Sequence, residues 1–478
     1  MNLYAIVLGI IVVTLLSVSL ARLHTVKTKA DYLVAGRSLP AFVLVFTLLS
    51  SWIGSGSLLG GAENAYKHGF AALWQGGGGW AGLALIYFIA PRARKFAQFT
   101  IPDLLEARYN QTARVLGVIA VLFTYTAITS YQFIGGGDII HLIFPTITAV
   151  HGAYILAAFV IVFTAIAGMG SVAYMDVVIG LLATFTMIAA LPVLIHTAGG
   201  WANVRATLPV THFQVFGDFT PIQALELFLP TCLLMLGNQS MYQKFFSAKS
   251  EKDATRATVG WIIGTVILET VIVAIAVVGS AIFRTGEVAA RPREILAYAA
   301  THAFTSTPLV TILGALLVGA IFAKVVSTAN NYLFSPATNL VNDIFVRYVR
   351  PKASNGEVLL VSRVMVGALG CWALVQALSI TSVLKMSLYA YTIYSAALTP
   401  VILAAFFWKR ATAAGAVASI AAGTVVTVCW DRVTPHLPPV FAARDAILPA
   451  LVASLLCLFI VSLTTKPPTP AQLAPFAE

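Results

Sequence analysis

Ser50-Ser51-Trp52-Ile53-Gly54-Ser55-Gly56-Ser57 interrupts the second long apolar run of the chain, residues 40–64. Two glycines flanked by serines weaken an α-helix and release backbone carbonyls and amides. In hydrocarbon, such groups are tolerated only where protein or water surrounds them. Small residues at mid-span also serve close helix packing, so this segment alone leaves two readings open. The seventh run, residues 222–240, shifts the balance. It carries Pro230 and then Gly237-Asn238, so it too is expected to be interrupted, five runs after the first. Paired broken helices at corresponding positions point to an inverted-repeat transporter, with solute and ions near the bilayer midplane.

The surrounding composition fits that setting. Of 478 residues, 59% are hydrophobic and 10% charged, against about 25% charged in a soluble domain, which excludes a soluble enzyme. Apolar stretches bounded by charge or turn clusters predict an all-α integral membrane protein of about thirteen spans. At ~20 residues each they leave no room for a separate folded domain. The first run has no basic segment before it and no clear cleavage site, so it reads as a helix rather than a removed signal peptide. Basic residues concentrate on one side, among them Arg22, Lys27, Arg92, Arg94, Lys95, Lys244 and Arg347. This predicts an N-terminus outside, a cytoplasmic C-terminus and residence in the plasma (inner) membrane. The net charge of +11 is then set by topology and by anionic lipid headgroups, with no nucleic-acid partner.

Other chemistries find little support. Cys232, Cys371, Cys429 and Cys457 all lie in apolar runs and read as small core residues. The histidines sit at run ends or in loops, without metal-ligand spacing. No phosphate-binding loop supports ATP-driven pumping, and no nucleophile-base constellation supports an enzyme. No organic cofactor is expected. The longest outer loops, about 197–221 and 284–307, read as covers or gates, and Asp138 beside the outer face as a loop or gate residue.

The ninth run, 308–335, holds Ala323-Lys324-Val325-Val326-Ser327-Thr328-Ala329-Asn330-Asn331. At ~100° per residue, Lys324, Ser327, Thr328 and Asn331 share an arc of ~100°. Hydroxyls together with carbonyls from an unwound helix are hard ligands for a small cation such as sodium, although Ser and Thr also bond back to their own helix. A lysine at mid-membrane costs ~2.5–3.5 kcal/mol and needs a counter-charge, water or a carbonyl cage.

These residues resemble the sodium:solute symporter family over most of the chain. The matching segments are Asp31-Tyr32-Leu33-Val34-Ala35-Gly36-Arg37, Ser50 to Gly61, Thr100-Ile101-Pro102-Asp103-Leu104-Leu105-Glu106, Gly168 to Asp176, Asn238-Gln239 with Gln243-Lys244, and Trp408-Lys409-Arg410-Ala411-Thr412. The resemblance implies a leucine-transporter-type fold. An extra helix (1–21) precedes repeat one (40–196) and repeat two (222–408), and two extra helices (411–464) and a cytoplasmic tail (465–478) follow. It also implies a sodium site made of the Ser50 and Ile53 carbonyls with the Ser327 and Thr328 hydroxyls. A second ion site matches Asp176, Asn330 and Asn331, although an ion pair or helix cap is an equal reading of Asp176.

Lys324 departs from the family pattern, where a small residue is usual. Three readings stay open: it pairs with Asp176 and leaves sodium binding intact, its ammonium replaces sodium so that transport is sodium-independent or proton-linked, or it binds a substrate anion. Solute contacts are expected from Ser55, Gly56, Ser57, Gln75, Gln132, Thr231, Tyr391 and Tyr394. Thr231, Leu234 and Met235 stand where sugar-transporting relatives carry an asparagine and aromatics, which argues for a small polar or anionic organic solute. Glu226 and Glu269 read equally as proton relays or interhelix partners and are not counted in the site. The expected function is secondary symport by alternating access. A membrane solute sensor is the alternative from another class, disfavoured by the ~14 residues after the last run; oligomeric state is left open.

Overall fold

The computed structural model describes residues 3–21, 28–90, 100–380 and 382–476. Arg22, His24, Lys27, Arg92, Arg94 and Lys95 lie outside them, as do the last two residues of the expected tail. The helices that build the body are α1 (Leu3–Leu20), α2 (Ala41–Trp52), α3 (Ala62–His68), α4 (Leu73–Ile86), α5 (Gln111–Ile143) and α6 (Ala149–Ile166). Next come α7 (Met169–Thr197), α8 (Pro221–Gly237), α9 (Gln239–Ser247), α10 (Glu251–Ile282) and α11 (Pro308–Asn339). The last five are α12 (Asn355–Ala377), α13 (Val383–Ala397), α14 (Thr399–Phe407), α15 (Ala413–Val433) and α16 (Ile447–Thr464). Among the described residues no strand forms; one bridge joins Leu39 to Ala248.

Helix starts follow short polar side chains. Asn110, Thr148, Thr220, Ser250, Thr307, Ser354, Ser382 and Thr412 each accept a hydrogen bond from the third residue of the helix that follows, satisfying an amide that has no partner in the helix itself. Among the described residues nine helices are long and apolar enough to cross a membrane, or ten if Ala41–Trp52 and Gly56–Ile86, bent by 55°, form one span. Large apolar side chains such as Phe185 on α7 and Leu309 on α11 face outward, 76% and 77% exposed. The interior is where polar groups gather, as a hydrocarbon solvent requires. Helix α11 shows this most clearly: it is buried without interruption from Leu317 to Asn339, with Lys324, Ser327, Thr328, Asn330 and Asn331 all inside.

Two expectations about loops change. Lys244, placed in an inner loop by the charge count, lies in α9 and is fully buried; the apolar run ended before the helix did. Asp138 lies within α5 and pairs with Arg293 (Nε to Oδ2, 2.9 Å). Arg293 belongs to the 284–307 segment, which folds into short helices including Ile295–His302. Beside this pair, burial first and the Asp138 charge second push the Glu294 carboxyl up to about 7. The folded chain therefore holds this proton more tightly than the unfolded chain, and Glu294 costs stability as pH rises from about 4.5 to 7. Glu294→Gln is expected to flatten that part of a plot of apparent Tm against pH; an unchanged slope would show that other groups set it.

Candidate cation and solute site

The first break follows directly from its residues. Helix α2 stops at Trp52, and Ile53 takes an extended conformation (φ −83°, ψ 95°) before helix resumes with a π-helical turn at Gly56–Gly61. Gly54 is required by packing: a Cβ there would meet Thr328 Oγ1 at 2.4 Å. The chain thus approaches α11 closely enough for Thr328 to donate to the Ser50 carbonyl at 2.9 Å and the Ile53 carbonyl at 3.4 Å, while Ser327 donates to the Ser50 carbonyl at 3.4 Å. Four oxygens of Ser50, Ile53, Ser327 and Thr328 converge, and all four are hard donors of the kind a small cation takes.

Asp176 on α7 organises the surroundings. It is fully buried; its carboxylate accepts from Thr47 (2.5 Å), from Ser327 and from Asn331 (3.2 Å), and its backbone carbonyl accepts from the Ser50 hydroxyl (3.2 Å). Lys324 donates to the same Ser50 hydroxyl at 3.2 Å. Its ammonium therefore stands beside the converging oxygens, and Thr47, Ser327 and Asn331 are the groups bonded to the Asp176 carboxylate. Lys244 donates to the Ser240 hydroxyl (3.0 Å) and to Asn331 Oδ1 (2.9 Å). One asparagine thus links a buried lysine to the buried carboxylate. Asn330, grouped with Asp176 by the resemblance, points elsewhere: its amide oxygen accepts from Thr164 on α6 at 2.8 Å.

The second break falls at Asn238, between α8 and α9, and not at Pro230, through which α8 continues. The Pro230 carbonyl accepts from Ser395 (2.7 Å) and the Leu233 carbonyl from Thr399 (2.7 Å), which ties α8 to α13 and α14. Asn238 Oδ1 accepts from Tyr125 (2.7 Å) and the Ser240 amide (3.0 Å). Tyr394 donates to the Gly237 carbonyl and accepts from the Gln239 amide. Tyr394 was expected to touch solute; instead it splints this break. Gln132 does the same at the first break, accepting from the Ser55 amide at 2.8 Å.

Between the two broken helices lies a narrow cavity of about 30 Å³, space for a few water molecules at most, so a bound solute requires a wider state. Ser57, Gln75, Thr231 and Tyr391 line it, as do Trp52 and Glu269, which were not anticipated. Ser55 and Gly56 do not line it; Gly56 lies against the Tyr391 hydroxyl, which a Cβ would meet at 2.5 Å.

The residue pattern of the sodium:solute symporter family matches residues 32–423. The chain belongs to that family. The sodium/proline symporter of Staphylococcus aureus is 26% identical over 467 residues, which covers 92% of this chain and 88% of the relative. A substrate-bound, outward-open Na+-coupled sialic acid symporter superposes with a TM-score of 0.83 at 18% identity, over 98% of both chains. Mhp1, a nucleobase-cation-symport-1 family transporter in a closed conformation, gives 0.59 at 12% identity, over 94% of this chain and 99% of that one. These likenesses establish the leucine-transporter-type fold. The chain is a multi-pass membrane transport protein and not an enzyme.

In this sodium:solute symporter family member the ends of α5 are roughly 36 Å apart, at 1.5 Å per residue between Arg114 and Asp138. At one end the buried Arg114 pairs with Asp103, Glu106 and Asp343 (2.8 Å for the last), and Thr100 donates to Asp343 at 2.9 Å. This ties Ile101–Arg108 and the π-helical Leu340–Val349 to α5. At the other end Asp138 holds Arg293. Ion pairs thus tie each end of α5 to the segments packed against it. Asp103 and Glu106 come from a motif already visible in sequence, whereas Asp343 and their shared partner Arg114 do not.

Proposed function

We propose that this protein is a sodium-coupled symporter of a small polar organic solute. The observation that carries the reading is the convergence of the Ser50 and Ile53 carbonyls with the Ser327 and Thr328 hydroxyls where the first broken helix meets α11. Sodium is held there by oxygens from both repeats, so its binding links residues 40–196 to residues 222–408. Because the cation contacts both bodies, it stabilises one arrangement of them over the other, which is what coupling by alternating access requires. The Arg114 end faces the cytoplasm and the Arg293 end faces outside, as the loop charges favour. Amino acids fit the family relatives, of which one group is named for proline.

A second reading has its own observation. Lys324 Nζ sits 3.2 Å from the Ser50 hydroxyl, so the tethered ammonium supplies a positive charge beside the same oxygens. Sodium then has no electrostatic reason to bind while the lysine is charged, since like charges at close range in a poorly polarisable interior repel strongly. Uptake of labelled L-proline into proteoliposomes, with and without an inward sodium gradient, separates the two. Sodium stimulation of the wild type is the expected result. Stimulation that appears only in Lys324→Ala assigns the cation's place to the lysine, and uptake indifferent to sodium in both rejects a sodium site at this break.

A further inference from the structure

Glu269 lies on α10 and is 6% exposed. Its two carboxyl oxygens each accept an indole N–H, from Trp52 on α2 and Trp80 on α4, both at 2.8 Å. Gly76 makes room for it, because a Cβ there would meet Oε2 at 2.9 Å. Among the described residues no lysine or arginine pairs with it, and none lines the cavity. A buried carboxyl held only by neutral donors, the two indoles and the Ser57 hydroxyl, and facing a cavity lacks the cation that such a group ordinarily has.

The other polar groups of the cavity point the same way. Gln75, 7% exposed, presents an Oε1 that accepts no hydrogen bond from the described residues. The Thr231 hydroxyl is already donated to the Leu227 carbonyl at 2.9 Å. The remaining wall includes the stacked rings of Trp52 and Tyr391, whose centroids are 6.1 Å apart. A carboxylate, an amide oxygen and π-faces recognise a cation, whether or not it carries an N–H.

We infer that the solute carries an ammonium group, read by Glu269 and Gln75 against the Trp52 and Tyr391 rings, so that its chemical class is an amino acid or amine and not a monocarboxylate. This rests on the cavity being the solute site of the symporter proposed above. The test uses the purified full-length chain in lipid nanodiscs and two isosteric pairs. Choline is compared with neutral dimethylbutanol, and L-proline with tetrahydrofuroate, in which an ether oxygen replaces the ammonium.

Tryptophan fluorescence reads binding, since Trp52 and Trp80 flank the carboxyl. At least one ammonium member is expected to bind about tenfold or more tightly than its isostere, and Glu269→Gln to erase that preference. Equal or tighter binding of the isosteres, no binding by either ammonium, or an unchanged preference in Glu269→Gln overturns the inference. The wild-type pairs decide the matter alone if that variant does not fold. An ammonium that binds but is not carried into proteoliposomes contradicts the transport reading and leaves this one standing; carriage of the anion without ammonium binding does the reverse.

Discussion

Thr328→Val is expected to shift sodium-stimulated uptake to roughly ten- to a hundredfold higher sodium while the protein still reaches the membrane. Valine keeps the shape of threonine, so the fit against Gly54 is retained. The substitution removes the hydroxyl that reaches both the Ser50 and the Ile53 carbonyl. One of four oxygens around the cation is lost, and two buried carbonyls lose a donor. A hydrogen-bonding or ligating contact to a charged group contributes about 1.5–3 kcal/mol, so sodium affinity should fall by roughly ten- to a hundredfold. Thr328→Ser, which restores the oxygen, should recover most of it. Sodium titrations of uptake in matched proteoliposomes check both variants; a Thr328→Val protein with unchanged sodium dependence would remove Thr328 from the site.

Asp176→Asn is expected to be the most destabilising single change in the interior. The carboxylate accepts from Thr47, Ser327 and Asn331, and Asn331 in turn accepts from Lys244. Removing its charge leaves two buried lysines without a nearby anion, and breaking a buried charge arrangement from one side costs about 3–5 kcal/mol. The measurable outcome is a lower apparent Tm and less protein surviving detergent extraction. Adding Lys244→Met to Asp176→Asn should recover part of the loss, because the pair then leaves together; contacting residues show such coupling at about 0.5–3 kcal/mol. A double variant no better than Asp176→Asn would mean that Lys244 is balanced by other groups.

Much of the fold was legible because hydrocarbon imposes strict rules on a chain. Apolar run length marks the helices, and small residues among them mark where backbone is released, so both breaks could be placed near Gly54 and Gly237-Asn238. Pro230 misled in part, because a proline costs a helix only the bond to the carbonyl four residues before it, and α8 runs on through it to Gly237. Lys244 was assigned to a loop because a nine-residue amphipathic helix after a break does not look like a span. On α11 the ~100° step of the helix already separated Asn330 from Asn331; taking them together followed the resemblance and not the geometry.

The solute cavity was the least readable part. Trp52 and Glu269 are 217 positions apart in sequence, and neither carries a local signal of the other. A glutamate in an apolar run announces only that it needs a partner. Tyr394 and Gln132 illustrate the converse case, since a polar side chain beside a broken helix serves the released backbone as readily as it serves a ligand. Ser57, Gln75, Thr231 and Tyr391 do reach the cavity, because they lie on the broken helices or on spans facing them.

The most direct test of the cation site is equilibrium binding of radioactive sodium to the purified protein, compared between wild type, Thr328→Val and Lys324→Ala. A saturable site in the wild type that Thr328→Val weakens by roughly ten- to a hundredfold is the predicted result. Saturable binding with unchanged affinity in Thr328→Val, or no binding in either the wild type or Lys324→Ala, contradicts a cation held between the first broken helix and α11.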